Sequence, residues 1–139
     1  MHSKIDHVGI VVGDLAESID YFRKHFGLTV GRTVDVPGRM RAAFLSWGEV
    51  SLELIEVAGG QRPLGVDHLA LAVPDLDEAI ADVRSTGMAT TTAEAVVLAG
   101  RRTIFVEPGG VVPFRFQLVE SDSVAERAED AENDDGGAS

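Results

Sequence analysis

The chain has 139 residues, of which 45% are hydrophobic, and it carries a formal net charge of −11 and no cysteine. This length can bury the core of one domain, and no run of about 20 apolar residues offers a transmembrane helix. Without cysteine there is no disulfide, thiolate metal site or cysteine nucleophile. Because the chain is acidic and its start lacks the apolar core of a signal peptide, we expect a cytoplasmic protein with neither nucleic acid nor a membrane as partner.

Residues 122–139 hold seven acidic side chains and one basic one, which leaves a net charge of −5 for the residues before them. This segment has no aromatic residue and no apolar residue larger than Val124. Such a composition cannot bury enough surface to offset the entropy cost of ordering it. We therefore predict a single domain over 1–121 and a disordered acidic tail over 122–139.

The first half opens with an apolar strand at about residues 5–12. Asp14 followed by Glu17 is a capping-box pattern that predicts the start of a helix, and Gly27 predicts its end. Three further strands are predicted, at about 28–36, 39–47 and 50–57.

The second half repeats this order, since VDHLALAVPDL at 66–76 matches IDHVGIVVGDL at 5–15. A strand at 66–73 precedes a helix that is capped by Asp75 and Glu78 and stopped by Gly87. Strands are predicted near 88–97, 101–107 and 111–120. An internal repeat of this kind indicates that the fold is built from two similar structural units. We predict an α+β fold of two tandem βαβββ modules, at 1–62 and 63–121, which form a cupped mixed β-sheet with the helices on the outside.

The repeat places His7 and His68 at equivalent positions in their strands. Because alternate side chains point to opposite faces of a sheet, His7 shares a face with Gly9, and His68 shares one with Ala70. Both neighbours are small, which leaves room above the sheet. A lone histidine near the start of a strand is usually structural, but a matched pair facing open space predicts a ligand site.

One polar residue stands between apolar neighbours in the last strand of each half: Glu53 in LELIE and Gln117 in FQLVE. Glu53 is either the outward residue of an amphipathic strand or a carboxylate in the cup, where it would need a partner or a metal. Gln117 could simply hydrogen-bond a neighbour. Together with two imidazoles these side chains suit a divalent ion such as Zn, Ni, Co, Mn or Fe.

The two strand openings, the segment SIDYFRKHFGL and the closing strands SLELIE and RFQLVE resemble the vicinal-oxygen-chelate superfamily. This superfamily includes glyoxalase I, methylmalonyl-CoA epimerase, bleomycin-resistance proteins and extradiol dioxygenases. The resemblance covers residues 5–120 and implies a metal site made of His7, Glu53, His68 and Gln117. It also implies a small-molecule substrate, a homodimer, and an enediolate that the metal stabilises after proton abstraction.

The sequence departs from the family pattern at two positions. Gln117 stands where the glyoxalase and epimerase branches usually carry a glutamate that serves as a base, and Ala42 stands where epimerases carry a second acid. The leading hypothesis is therefore a metal-dependent lyase or isomerase, of glyoxalase or epimerase type, with Glu53 as its proton carrier. The alternatives are a binding protein that sequesters a drug or metabolite without turnover, and an Fe(II) dioxygenase.

Two pairs of arginines precede inner strands: Arg39 with Arg41, and Arg101 with Arg102. Arg41 and Arg102 are our candidates for substrate binding, because a guanidinium can hold a carboxylate or phosphate through two hydrogen bonds. The alternative is that all four are ordinary solvated side chains at strand starts.

Overall fold

The computed structural model describes residues 1–121, and the predicted acidic tail lies outside the described residues. Within this part of the chain, two α-helices and eight strands follow one another as two βαβββ series. The first series consists of β1 (Lys4–Val11), α1 (Leu15–Phe26), β2 (Val30–Val36), β3 (Met40–Trp47) and β4 (Val50–Val57). The second consists of β5 (Gly65–Val73), α2 (Leu76–Ser85), β6 (Val96–Leu98), β7 (Arg101–Val106) and β8 (Arg115–Glu120). The predicted α+β class and the tandem repeat are confirmed.

Contacts divide the chain into two compact units. The first unit is Asp6–Leu69, and the second joins Met1–Ile5 to the described residues that follow Leu69, up to Ser121. Strand β5 therefore begins in the first unit and ends in the second. The single domain over 1–121, with modules meeting after residue 62, stays a prediction.

Helix α1 forms in the first unit because both of its ends are capped as the sequence predicts. The carboxylate of Asp14 accepts a hydrogen bond from the amide of Glu17 at 2.9 Å, which satisfies one of the helix's unpaired donors. At the other end Gly27 adopts a left-handed φ of 69°, which glycine takes without steric cost.

The sheet of the first unit places one apolar layer on each of its faces. Strand β3 pairs antiparallel with both β2 and β4, and β4 pairs in parallel with β1. On one face, α1 packs through Leu15, Ile19 and Phe22 in a cluster that includes Leu45 and Leu54. A smaller cluster is built from Val11, Ala42 and Ile55. This smaller cluster consists of strand residues and lies on the same face of the sheet as His7.

The second unit follows the same plan, with strands in the order β5-β8-β7-β6. Asp75 caps α2 by accepting from the amide of Glu78 at 3.0 Å. The core holds side chains from α2 and from β7 and β8, including Leu76, Ile80, Val83, Ile104 and Leu118. Neither α-helix in residues 1–121 is long and apolar enough to cross a membrane.

Two predicted strands of the second half are wrong in extent. The strand predicted at 88–97 is reduced to Val96–Leu98, preceded by one isolated bridge between Thr90 and Val106. The strand predicted at 111–120 begins only at Arg115. Gly109 and Gly110 take positive φ, and Pro113 has no amide to donate to a ladder, so residues 107–114 form a longer connection than the turn we expected.

Candidate functional site

Three polar side chains of the first unit converge on one point: His7 from β1, Glu53 from β4 and His68 from β5. The Nε2 atoms of the two histidines are 3.1 Å apart. Oε1 of Glu53 lies 3.4 Å from Nε2 of His7 and 3.1 Å from Nε2 of His68. Both histidines are buried, with 6% and 4% of their surface exposed. Their potential ligand atoms form a group that could hold a metal ion.

The strand register explains why Glu53 joins the histidines. Strands β1 and β4 are parallel, with Gly9 opposite Glu53, and paired residues of neighbouring strands point to the same face. His7 is two residues from Gly9 and so shares that face. Leu54, the next residue of β4, packs in the cluster under α1. Of the two orientations that the sequence allowed for Glu53, the structure therefore has the inward one.

Gly9 provides the space that His68 occupies. A Cβ built at position 9 would lie 2.1 Å from Cε1 of the His68 ring, which no side chain could tolerate without displacement of the ring. The prediction that a small residue leaves room on the histidine face is correct, and the room is filled by the second histidine.

The Nδ1 atom of each histidine is hydrogen-bonded to the carboxylate of the aspartate that precedes it in the sequence. Nδ1 of His7 lies 2.7 Å from Oδ2 of Asp6, and Nδ1 of His68 lies 2.8 Å from Oδ2 of Asp67. A carboxylate at Nδ1 keeps the proton there and directs the Nε2 lone pair toward the opposite side, as is usual for metal-binding histidines. Our sequence analysis missed these two residues, although the signal was the dipeptide Asp-His in both copies of the repeat.

The charges of the three residues depend strongly on one another. Burial alone would lower the pKa of His7, but hydrogen bonds to Asp6 and Glu53 outweigh it and raise that pKa from 6.5 to about 9. The pKa of His68 is raised in the same way, against burial, by Asp67 and Glu53. Burial would raise the pKa of Glu53, yet the two imidazoles lower it from 4.5 to about 2. Glu53 is therefore ionised at neutral pH.

The arrangement fits a divalent metal ion. Metal–nitrogen and metal–oxygen bonds of about 2.0–2.2 Å place neighbouring ligand atoms about 2.9–3.5 Å apart in octahedral or tetrahedral geometry, and the three distances here are 3.1, 3.1 and 3.4 Å. If both Nε2 atoms carried a proton, their N–H groups would repel each other at 3.1 Å. If both were unprotonated, their lone pairs could bind the same cation. The set of two histidines and one carboxylate is also a common metal triad.

Gln117 lies in the second unit, on β8, and its amide has a fixed orientation. Its Nε2 donates to Oγ1 of Thr103 at 2.9 Å, and that hydroxyl donates to the carbonyl of Leu118 at 2.7 Å. Because the hydroxyl donates its one proton to the carbonyl of Leu118, it can act only as an acceptor toward Gln117. The amide nitrogen is therefore held by Thr103, and the carbonyl oxygen remains as the atom that could bind a cation.

The two arginines proposed for substrate binding both form ion pairs. Nη2 of Arg41 lies 2.8 Å from Oε1 of Glu56. Arg102 lies 2.9 Å from Asp77 and 3.3 Å from Glu120. Both arginines are largely exposed, so their part in substrate binding stays a prediction.

Comparison with known proteins finds relatives in two groups of enzymes. The chain is 34% identical over 125 residues to a lactoylglutathione lyase of Escherichia coli O157:H7, covering 82% of this chain and 90% of that one. It is 25% identical over 124 residues to the mitochondrial methylmalonyl-CoA epimerase of Mus musculus, covering 78% and 70%. A variant of Streptomyces coelicolor methylmalonyl-CoA epimerase, solved with 2-nitronate-propionyl-CoA, superposes with a TM-score of 0.76 at 26% identity, covering 88% and 100%.

Residues 4–112 match the sequence profile of the Glyoxalase/Bleomycin resistance protein/Dioxygenase superfamily. This match spans most of the described chain and includes the three converging side chains. The chain therefore belongs to this superfamily.

Proposed function

We propose that the protein is a metal-dependent lyase or isomerase, of glyoxalase or epimerase type, that moves a proton at a carbon next to a carbonyl group. The observation that carries the proposal is the convergence of His7, Glu53 and His68, with each Nδ1 held by an aspartate. The relatives are named as methylmalonyl-CoA epimerases and lactoylglutathione lyases. A thioester of coenzyme A or an adduct of glutathione is therefore the substrate class we propose.

His7, Glu53 and His68 would hold the ion, with the carbonyl oxygen of Gln117 as a fourth ligand. A bound divalent ion supplies a Lewis acid for an oxygen on which negative charge develops. Which ion binds is open among Zn, Ni, Co, Mn and Fe. A homodimer and a cytoplasmic location also remain predictions.

Glu53 would be the group that moves the proton. Its Oε1 faces both imidazole rings, so Oε2 is the oxygen left to take up a proton. Removal of a proton next to the carbonyl would give an enolate, which is an enediolate where that carbon also carries an oxygen, and return of the proton would give the product. Because Gln117 is an amide and Ala42 an alanine, neither of these positions supplies a second carboxylate for this step, and the proposal places the proton transfer on Glu53.

The metal content of the purified protein tests the site. We expect about one ion per chain in the unaltered protein and nearly none in His7→Ala or His68→Ala. His25→Ala is the matched control, because His25 is exposed on α1. If the double variant of His7 and His68 keeps a full ion, the proposed site is wrong.

Exchange of the substrate proton tests the reaction. The metal-loaded protein is incubated in deuterated water with methylmalonyl-CoA, and separately with methylglyoxal and glutathione. We expect deuterium at the carbon next to the carbonyl of one of these substrates. Binding of either substrate without exchange would instead favour the sequestering protein.

A second candidate function is an Fe(II) dioxygenase. The observation in its favour is the ligand set itself, because two histidines and one carboxylate are the ligands of many iron oxygenases. Iron as the resident metal, together with oxygen consumption in the presence of a catechol, would support this alternative. Proton exchange under strictly anaerobic conditions would exclude it as the main activity.

A further inference from the structure

A guanidinium group lies close to the cluster of His7, Glu53 and His68. Arg32, a residue of β2, stacks over the ring of Phe44, with its Cζ 4.4 Å from the ring centre. The ring of Phe44 meets the ring of His7 edge to face, with the two ring centres 5.5 Å apart. Together these two contacts place the Arg32 guanidinium within about 10 Å of the His7 imidazole.

The strand register puts Arg32 on the face of the sheet that carries the cluster. Arg32 pairs with Phe44, Phe44 pairs with Glu53 in the next strand, and Glu53 pairs with Gly9. Because paired residues of neighbouring strands point to the same face, these positions form one row across β2, β3, β4 and β1. The register of β2 shifts immediately before Arg32, where Gly31 is an extra residue. Such bulges are frequent next to active sites, where they change the direction of a side chain.

This row of side chains is open to solvent. Arg32 is exposed and Phe44 is half-buried, and the side chain of Glu53 keeps 14% of its surface exposed. Neighbouring strands lie about 4.8 Å apart, so two strand spacings separate the backbones of Arg32 and Glu53 by about 10 Å. The stacked side chain of Arg32 covers part of that distance. A small ligand at Glu53 can therefore contact Arg32 without passing through the core.

The guanidinium of Arg32 is available to an anion. Within residues 1–121 no carboxylate forms an ion pair with it, although the chain has a formal net charge of −11. Stacking on an aromatic ring holds the plane of a guanidinium in place, and its N–H groups can still bind a carboxylate through two hydrogen bonds.

Arg32 differs in this respect from Arg41, the candidate taken from the sequence. Arg41 lies three positions from Phe44 in β3, and so on the opposite face of that strand. There it pairs with Glu56 at 2.8 Å, and the other oxygen of Glu56 accepts a hydrogen bond from the amide of Leu15 in α1. Arg41 therefore belongs to the face that carries the helix, and Arg32 to the face that carries the cluster.

We propose that Arg32, stacked on Phe44, binds a carboxylate that the substrate carries a few bonds from the oxygen atoms held at His7, Glu53 and His68. The inference rests on the proposed function and adds a requirement to its substrate, which is a negative charge on the reacting part of the molecule. The anion is a carboxylate rather than a phosphate dianion, because one guanidinium balances one negative charge.

Calorimetry on the full metal-loaded chain tests the proposal with hydroxamates, whose two neighbouring oxygens bind a metal ion. Succinic and glutaric monohydroxamates carry a carboxylate beyond this group, and butanohydroxamate and pentanohydroxamate carry a methyl group in its place. The variant is Arg32→Gln. Arg39→Gln is the matched control, because Arg39 is an exposed arginine in the turn between β2 and β3. Metal content and Tm are measured for each protein, so that a change in the cluster itself is recognised.

We expect one of the carboxylate-bearing probes to bind the unaltered protein at least about 10-fold more tightly than its methyl counterpart, as hydrogen bonds between charged groups allow. Arg32→Gln should bring the two affinities within about 2-fold of each other at unchanged metal content, and Arg39→Gln should keep the difference. Equal affinity of the unaltered protein for carboxylate and methyl probes would overturn the proposal. So would a carboxylate preference that Arg32→Gln retains.

Failure of this inference and failure of the proposed function give different results. If the carboxylate preference depends on Arg32 but no proton exchange occurs, Arg32 is assigned correctly and the proposed reaction is wrong. If proton exchange occurs and Arg32→Gln retains the preference, the role of Arg32 is wrong and the proposed function stands. A protein that binds no metal ion would overturn both.

Discussion

Strand pairs β3–β4 and β7–β8 occupy equivalent places in the repeat and hold different polar residues. In the first module Phe44 lies opposite Glu53, and in the second Phe105 lies opposite Gln117. An arginine stacks over each phenylalanine, Arg32 at 4.4 Å from the first ring. In the second module the stacking arginine is Arg115 of β8, at 4.2 Å from the ring of Phe105. The two modules therefore share the phenylalanine opposite the polar residue, but the stacking arginine comes from β2 in the first module and from β8 in the second.

The difference lies in what holds each polar side chain. Glu53 is held by two imidazoles, which carry the opposite charge when protonated. Gln117 is held by the hydroxyl of Thr103, and the residue equivalent to Thr103 in the first module is Ala42, since each lies at the same register position in its strand pair. The first module therefore combines Glu53 with Ala42, and the second combines Gln117 with Thr103. In each module the residue two positions along the neighbouring strand suits the polar side chain. Substitutions that turn one module into the other test this comparison.

Glu53→Gln gives the first module the side chain of the second and should have the largest effect. The imidazoles lose their carboxylate partner while they remain buried, so the metal site loses its only negative ligand. We expect the ion to be lost and the rate of proton exchange to fall by about 10²–10⁴-fold. Glu49→Gln, in the exposed turn between β3 and β4, is the control. A Glu53→Gln variant with normal metal content and rate would show that Glu53 is neither ligand nor base.

Gly9→Ala gives the first module the residue that the second has at Ala70. Because the new methyl group would overlap the His68 ring, we expect a loss of about 2–3 kcal/mol in the free energy of unfolding, measured with urea, and a loss of bound metal. Gly13→Ala is the control, since a Cβ there meets no atom of the described structure within 4 Å. Equal effects of the two substitutions would contradict the role assigned to Gly9.

Thr103→Ala gives the second module the residue that the first has at Ala42. It leaves the buried Nε2 of Gln117 without its acceptor, which we expect to cost about 1–2 kcal/mol of stability. Because the amide could then rotate, metal affinity should also fall in titrations of the metal-free protein. Thr103→Ser keeps the hydroxyl and should restore the affinity. If serine and alanine weaken metal binding equally, the hydroxyl does not position Gln117.

The pH dependence of the metal-free protein should show the smallest effect. A histidine whose folded pKa is raised to about 9 stabilises the fold fully below pH 6.5, and this stabilisation is lost as the pH rises through 9. Glu53, with a pKa lowered to about 2, stabilises the fold above pH 4.5 and loses this effect as the pH falls through 2. We expect the highest Tm between pH 4.5 and 6.5 in the presence of a chelator.

Glu53→Gln is the comparison for this pH profile, measured as Tm at pH 6 and pH 9. It should have a lower Tm than the unaltered protein at pH 6 and a much smaller fall toward pH 9, because its histidines lack the carboxylate that keeps them protonated. A parallel fall in both proteins would assign the alkaline transition to other groups.

Much of the fold could be predicted because it depends on local signals. The caps at Asp14 and Asp75 and the stop at Gly27 act within a few residues, and the repeat gave the order of the elements. Register and strand length depend on partners that are distant in sequence. This is why β6 and the start of β8 were misplaced.

Part of the site could also be predicted from the sequence. The repeat identified His7 and His68, but alternation alone allowed Glu53 to face either side of the sheet, and only the pairing with β1 decides between them. Thr103 could not be found as the partner of Gln117, because the two lie on different strands and share no motif. Asp6 and Asp67 could have been found, since each stands directly before a histidine in both copies.

The contact between Gly9 and His68 joins positions that are 59 residues apart in the sequence and adjacent in the fold. Its consequence is an evolutionary constraint. A descendant that lost the histidine at position 68 would be released from the need for glycine at position 9, whereas one that kept the histidine would not. The two positions should therefore change together, and a larger residue at position 9 would mark a descendant whose site had lost its second imidazole.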